Sequence, residues 1–167
     1  MTYDLKPLSK EAIPKAIDRA KHYRSLIQPW HAESICRDVM AVEPENQQNL
    51  IILFLAITDQ FGSEKHTKNI KDAEEIMNQL NDSYQQDYAK GIMYERLASA
   101  ALNMGGARSG YIAYYHLQDA LKWYEQSEKS NLDKNEESVL RWNTCVRMIE
   151  QFNLKPAPDD DTPGMLE

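Results

Sequence analysis

Eight consecutive residues about a third of the way along the chain, Leu50 to Ile57, are apolar (Leu-Ile-Ile-Leu-Phe-Leu-Ala-Ile). Composition alone would allow a buried strand there. The flanks favour a helix of about four turns over Glu45 to Phe61, with glutamines before the run and Thr58-Asp59-Gln60 after it. A helix that is apolar nearly all round has to be covered on several sides. This stretch therefore predicts a central helix with other elements packed against it. The run is far too short to span a bilayer.

The rest of the composition agrees with an all-α chain. Gly and Pro are sparse (6 and 7 of 167 residues), and no β-branched run alternates with period two. A chain of this length can bury enough surface for its own core. The net charge of −7 argues against a nucleic-acid or anionic-membrane surface, which needs clustered Lys and Arg. Cys36 and Cys145 each fall on an apolar helical face and are expected as buried free thiols. The first residues lack a signal-peptide pattern, so the expected location is cytoplasmic.

Spacing and punctuation divide the chain into about seven helices. Residues 1–9 form a lead-in, residues 10–152 one helical domain, and residues 153–167 an acidic, proline-rich tail. Ser9 is a candidate cap for the first helix, whose stripe runs Ile13, Ala16, Ile17, Ala20, Tyr23 and Ile27. Gln28-Pro29 separates it from a second helix, which Pro44 ends. A fourth helix is expected over Lys68 to Leu80, with Ile70, Ala73, Ile76, Met77 and Leu80 inward. Asn81-Asp82-Ser83 supplies a cap for a long fifth helix ending at Met104, before Gly105-Gly106. The sixth helix is rich in aromatics. The seventh is expected to place Val139, Trp142, Val146 and Ile149 on its packed side and to cap the fold. The tail composition predicts disorder, with Met165-Leu166-Glu167, two of its residues apolar, expected to dock on this or a neighbouring molecule.

The pattern from Ile13 to Leu132 resembles tetratricopeptide repeats, helical hairpins of about 34 residues with small residues at the helix crossings and a closing proline. Ala16, Ala20 and Tyr23, then Ala32, Cys36, Val39 and Pro44, carry the likeness in the first unit. In the second unit Phe54 stands where the family has a small residue, and the connection around Gly62 to Thr67 is about seven residues longer than the repeat requires. The third matches at Tyr94, Leu97, Ala98, Ala101, Ala120 and Tyr124. The resemblance implies a TPR-like right-handed superhelix of stacked antiparallel hairpins whose first helices line a concave binding face. Carried over by position, that face includes Lys21, Arg24, Leu55, Glu95, Arg96 and Asn103. Of the positions with which some co-chaperones of the family clamp a peptide C-terminus, only Arg96 fits, so that function is not expected.

The Gly105–Gly110 segment superficially resembles a phosphate-binding loop. It lacks the Lys-Ser/Thr pair, with Tyr111-Ile112 in its place, and it follows a helix instead of a strand. What survives is a candidate anion or partner site at Gly106, Arg108 and Ser109, with Tyr111 and Tyr115 as exposed aromatics nearby. His22, His31, His66 and His116 form no metal-ligand pair, and no catalytic constellation, cofactor or metal is expected. The leading functional expectation is a non-enzymatic scaffold that binds a peptide or partner helix. A homo-oligomer is compatible with it. The resemblance also implies an alternative, a small acidic chaperone for a secreted client. An enzyme acting on phosphate esters is the most remote reading.

Overall fold

Prolines and capping amides set the helix boundaries. A computed structural model describes residues 2–64 and 68–158. Those residues form seven α-helices and no β-strand, with a single isolated bridge between Phe61 and Lys68. The chain gathers into two compact units, Met1–Asn81 and Asp82–Glu167. His66 and the Met165–Glu167 segment lie outside the described residues.

In the first unit, a 3-10 turn over Lys10–Ala12 leads into α1, Ile13–Ser25, with Pro14 in the first turn. Proline is tolerated there because its missing N–H would have no intrahelical partner. Ser9 does not cap with its side chain; its carbonyl instead accepts the Ala12 N–H at 3.1 Å. α2, Pro29–Val42, also starts with a proline and buries Ala32, Glu33, Cys36 and Val39. α3, Gln47–Thr58, opens on the Asn46 side chain, which accepts the Asn49 N–H at 2.9 Å. α2 packs between α1 and α3, α1 also touches α3, and α4 covers α3 on another side. Leu50, Ile52, Leu53, Phe54, Ala56 and Ile57 are buried as the sequence requires. Each large apolar side chain so placed contributes about 1.5–3 kcal/mol.

α4, Ile70–Met77, is shorter than its expected span because Asn69 and Asp72 form a reciprocal capping box that starts it. Lys68 is thereby left outside the helix, and Ile70 faces solvent instead of the core. Beyond Met77 the chain tightens, with Gln79 N–H to Ile76 O and Leu80 N–H to Met77 O both at 3.0 Å, and this keeps Leu80 buried.

The turn from α1 to α2 closes unusually. Ile27 N–H donates to Arg24 O and Gln28 N–H to Tyr23 O, both at 2.9 Å. This is the Schellman pattern, whose left-handed position normally takes glycine. Here Ile27 occupies it at φ 58°. For a β-branched side chain that conformation costs about 1–2 kcal/mol. Ile27 is also 87% exposed, so it does not continue the α1 stripe inward.

In the second unit, α5 runs over Ser83–Met104, α6 over Ser109–Lys129 and α7 over Glu137–Gln151. Asp82 caps α5 by accepting the Tyr84 N–H at 2.8 Å. Gly105 and Gly106 stop it at φ 70° and 103°, a region L side chains avoid. Met104, the last residue of α5, is exposed. α6 packs extensively on α5, and α7 leans chiefly on α6. α7 ends in the same pattern as α1, but with Asn153 at the left-handed position and Leu154 buried after it. Leu154 lies against Gly110, so packing continues past the expected boundary at Asn153.

The packed side of α7 is only partly the expected one: Val146 and Ile149 are half-buried. Ser138 and Cys145 are buried, whereas Val139 and Trp142 each remain 39% exposed. Polar partners waiting on α5 and α6 turn the helix, and this outweighs burial of its apolar line.

Candidate functional site

α5 carries Tyr84, Tyr88, Gly91 and Glu95 at i, i+4, i+7 and i+11, one helical line directed at α6 and α7. At its end the Glu95 carboxylate is buried. Tyr124 of α6 donates to Glu95 Oε2 at 2.6 Å, and Arg141 of α7 donates from Nη1 to Oε1 at 3.0 Å. Cys145 Sγ lies 3.9 Å from Oε2. Burial pushes the Tyr124 phenol well above its ordinary value, and the Glu95 charge adds to this. Burial also raises the Cys145 thiol to about 12, helped by Glu95. Arg141 is disfavoured by burial, but Glu95 and Tyr88 more than compensate, so it stays cationic.

The line continues toward the start of α7. Tyr84 stacks on Tyr88 at 5.7 Å and donates to Asn135 Oδ1 at 2.7 Å. Ser127 and Ser138 hydroxyls approach to 2.6 Å. Gly91 makes room for this arrangement: a Cβ there would run into the Tyr124 ring. Glu95, Tyr124, Arg141 and the Ser127–Ser138 pair link helices of the unit, and Tyr84 reaches the turn before α7. The cluster sets the register of three helices, and the Cys145 thiol is held protonated and away from chemistry.

The first unit has a counterpart on α2. Glu33 is buried and accepts Gln60 Nε2 at 2.7 Å, Lys68 Nζ at 2.9 Å and Arg37 Nη2 at 3.2 Å. Burial alone would raise its carboxyl; the hydrogen bonds from Gln60 and Lys68, with the Lys68 charge, outweigh this and hold it below the ordinary carboxylate value. The neighbouring Cys36 thiol is raised by burial to about 12. Gln60 and Lys68 bracket the long connection after α3, so this carboxylate ties a loop to the helices.

The residues expected on a binding face fall into different environments. Lys21 and Asn103 are exposed, while Leu55 and Arg96 are half-buried. Arg24 is committed to Asp59 Oδ2 at 2.7 Å. Glu95 leaves the candidate face altogether, because it is the centre of the buried cluster. At the glycine turn, Gly106 and Arg108 are exposed, and Ser109, Tyr111 and Tyr115 are half-buried. Ser109 donates from Oγ to Gly106 O at 3.0 Å, so its hydroxyl closes the turn. Tyr115 packs edge-on against Tyr114 at 5.6 Å.

Three surface features were not anticipated. A shallow cleft of about 580 Å³ is lined by Glu43, Pro44, Glu45, Asn46 and Gln79. Beside it Gln47 clamps the end of α4, donating to Gln79 O at 3.2 Å and accepting Asn81 N–H at 2.9 Å. The second feature is the apolar edge of α7. The third is the α1–α2 corner. The signals were present in sequence as unremarkable residues: a glutamine, a valine one place from a serine, and an isoleucine before Gln-Pro. Among the described residues no group of three or more His, Cys, Asp or Glu could hold a metal ion, and no helix is long and apolar enough to cross a membrane.

The chain matches no family model, no curated protein and no solved structure. Its candidate sites are defined by their own chemistry.

Proposed function

We propose that the protein is a non-enzymatic interaction module of helical hairpins, of the tetratricopeptide kind, that binds a peptide or partner helix. The observation that carries this reading is the offset of α7. Its packed line is Ser138 and Cys145. Val139, Trp142 and Val146 lie further round, with Val139 and Val146 about 100° away. Val139 and Trp142 are 39% exposed and Leu140 is 60% exposed. An apolar helix edge that its own core leaves partly uncovered, Val139 and Trp142 with the half-buried Val146, offers a seat for another helix, read as i, i+3 and i+7 anchors. Tryptophan is enriched among residues that dominate binding energy. The hairpin packing of α1, α2, α3 and α4 supports the same reading.

Affinity purification with mass spectrometry, comparing the wild type with Val139→Lys, tests it. The expected result is a reproducible partner that the variant loses while its unfolding temperature stays within a few degrees. Equal recovery with both proteins would contradict a docking role for α7. An apolar secreted client as the captured species would favour the chaperone form of the reading.

A further inference from the structure

The α1–α2 corner combines strain, exposure and a local reversal of charge. Leu26, Ile27 and Trp30 are 50%, 87% and 47% exposed within five consecutive positions of one turn. Ile27 holds the left-handed position that glycine or asparagine fills without penalty, as Asn153 does at the end of α7. The side chain at position 27 gains no burial in return. Strain of this sort persists where it serves something other than stability.

The surroundings say what would meet this knob. Lys15, Arg19, His22 and Leu26 follow at i, i+4, i+7 and i+11 on the exposed side of α1. From Lys10 to Trp30, with Arg24 already paired to Asp59, four basic residues (Lys10, Lys15, Arg19, Lys21) stand against two acidic ones, Glu11 and Asp18, in a chain of net charge −7. An anionic ligand is therefore drawn to this corner and repelled by the chain's overall charge. At the start of α2, Tyr23 stacks on His31 at 5.4 Å and His31 meets Trp30 edge-on at 5.3 Å, so the rings of this corner pack on one another.

We infer that this corner binds an acidic peptide carrying apolar anchors, with Leu26, Ile27 and Trp30 taking the anchors and Lys15 and Arg19 pairing with the carboxylates. A peptide is favoured over an anionic bilayer because Asp18 lies among the few exposed cations and the rest of the chain is acidic, which opposes approach to a charged plane. The inference rests on the interaction reading above but on a different unit of the chain, so it can fail while the α7 reading stands.

The test is fluorescence anisotropy with a fluorescein-labelled amphipathic peptide of glutamates and leucines, alongside the same peptide with glutamine for glutamate. The wild type is expected to bind the glutamate peptide at least about tenfold more tightly than the glutamine one, and raised salt should narrow the gap. The doubly reversed Lys15→Glu, Arg19→Glu protein should lose about tenfold or more. Ile27→Asn should also lose about tenfold while its unfolding temperature rises by roughly 2–8 °C, because strain is relieved. A purely structural role for Ile27 cannot move the two readouts in those opposite senses. No binding by the wild type, equal binding of both peptides, or unchanged affinity of Ile27→Asn would overturn the inference. So would a dimer in light scattering that Ile27→Asn abolishes, or co-sedimentation with phosphatidylserine vesicles that the charge reversal abolishes. Loss of the peptide with partner capture through Val139 intact would sink this inference alone.

Discussion

Two residues carry most of what the interior demands, and neither looks unusual in the sequence. Gly91 sits in mid-helix, where replacing glycine with alanine ordinarily stabilises by about 0.8–1 kcal/mol. Here the added methyl meets the Tyr124 ring, which Glu95 holds by its hydroxyl. Overpacking of that sort costs about 1–3 kcal/mol, so Gly91→Ala is expected to lower stability despite its better helix propensity. Urea unfolding reads the sign directly, and a stabilised variant would show that Tyr124 moves aside freely. Glu33 makes a different prediction. Its folded carboxyl is held below the ordinary value, so its contribution is present above the unfolded pKa of about 4.3 and is lost as pH falls through the lower folded value. Glu33→Gln should therefore flatten the acid side of a plot of unfolding temperature against pH. An unchanged slope would mean that Lys68, Gln60 and Arg37 do not hold the carboxylate. Both residues escaped the sequence reading for one reason. A contact between segments far apart in sequence, a ring over a glycine or a cation on a carboxylate, leaves no periodic trace.

At the scale of the helices, much was legible where apolar spacing and caps act along a single segment. The all-apolar stretch became the buried α3, Asp82 capped α5, Gly105-Gly106 ended it, and prolines opened α1 and α2. Legibility failed where another element decides. α4 begins late because Asn69 and Asp72 cap each other's backbone. α7 rotates because its neighbours offer Tyr84, Ser127 and Glu95 to Ser138, Arg141 and Cys145. The glutamate assigned to a binding face went into the core by the same logic. Hydrophobic periodicity ranks the faces of a helix only when its partners are apolar; on α7 the hydrogen-bonding face won, and the apolar edge left outside became the candidate binding surface.

At the scale of the whole molecule, each of the two units secures itself around one buried carboxylate, Glu33 or Glu95, and offers apolar side chains at its surface. The all-α class and the helix count were readable because they depend on local periodicity summed along the chain. The proposed binding surfaces were not, because they consist of residues that the packing leaves exposed. Under the proposed function, stability and recognition fall to different residues: the networks hold the helices, and the exposed edge of α7 would meet the partner. Hydrogen–deuterium exchange of the captured complex against the free protein tests that division most directly. Slowed exchange is expected across residues 139–146, with the Glu33 and Glu95 helices unchanged. Protection confined to residues 105–109, or no difference across α7, would contradict the account.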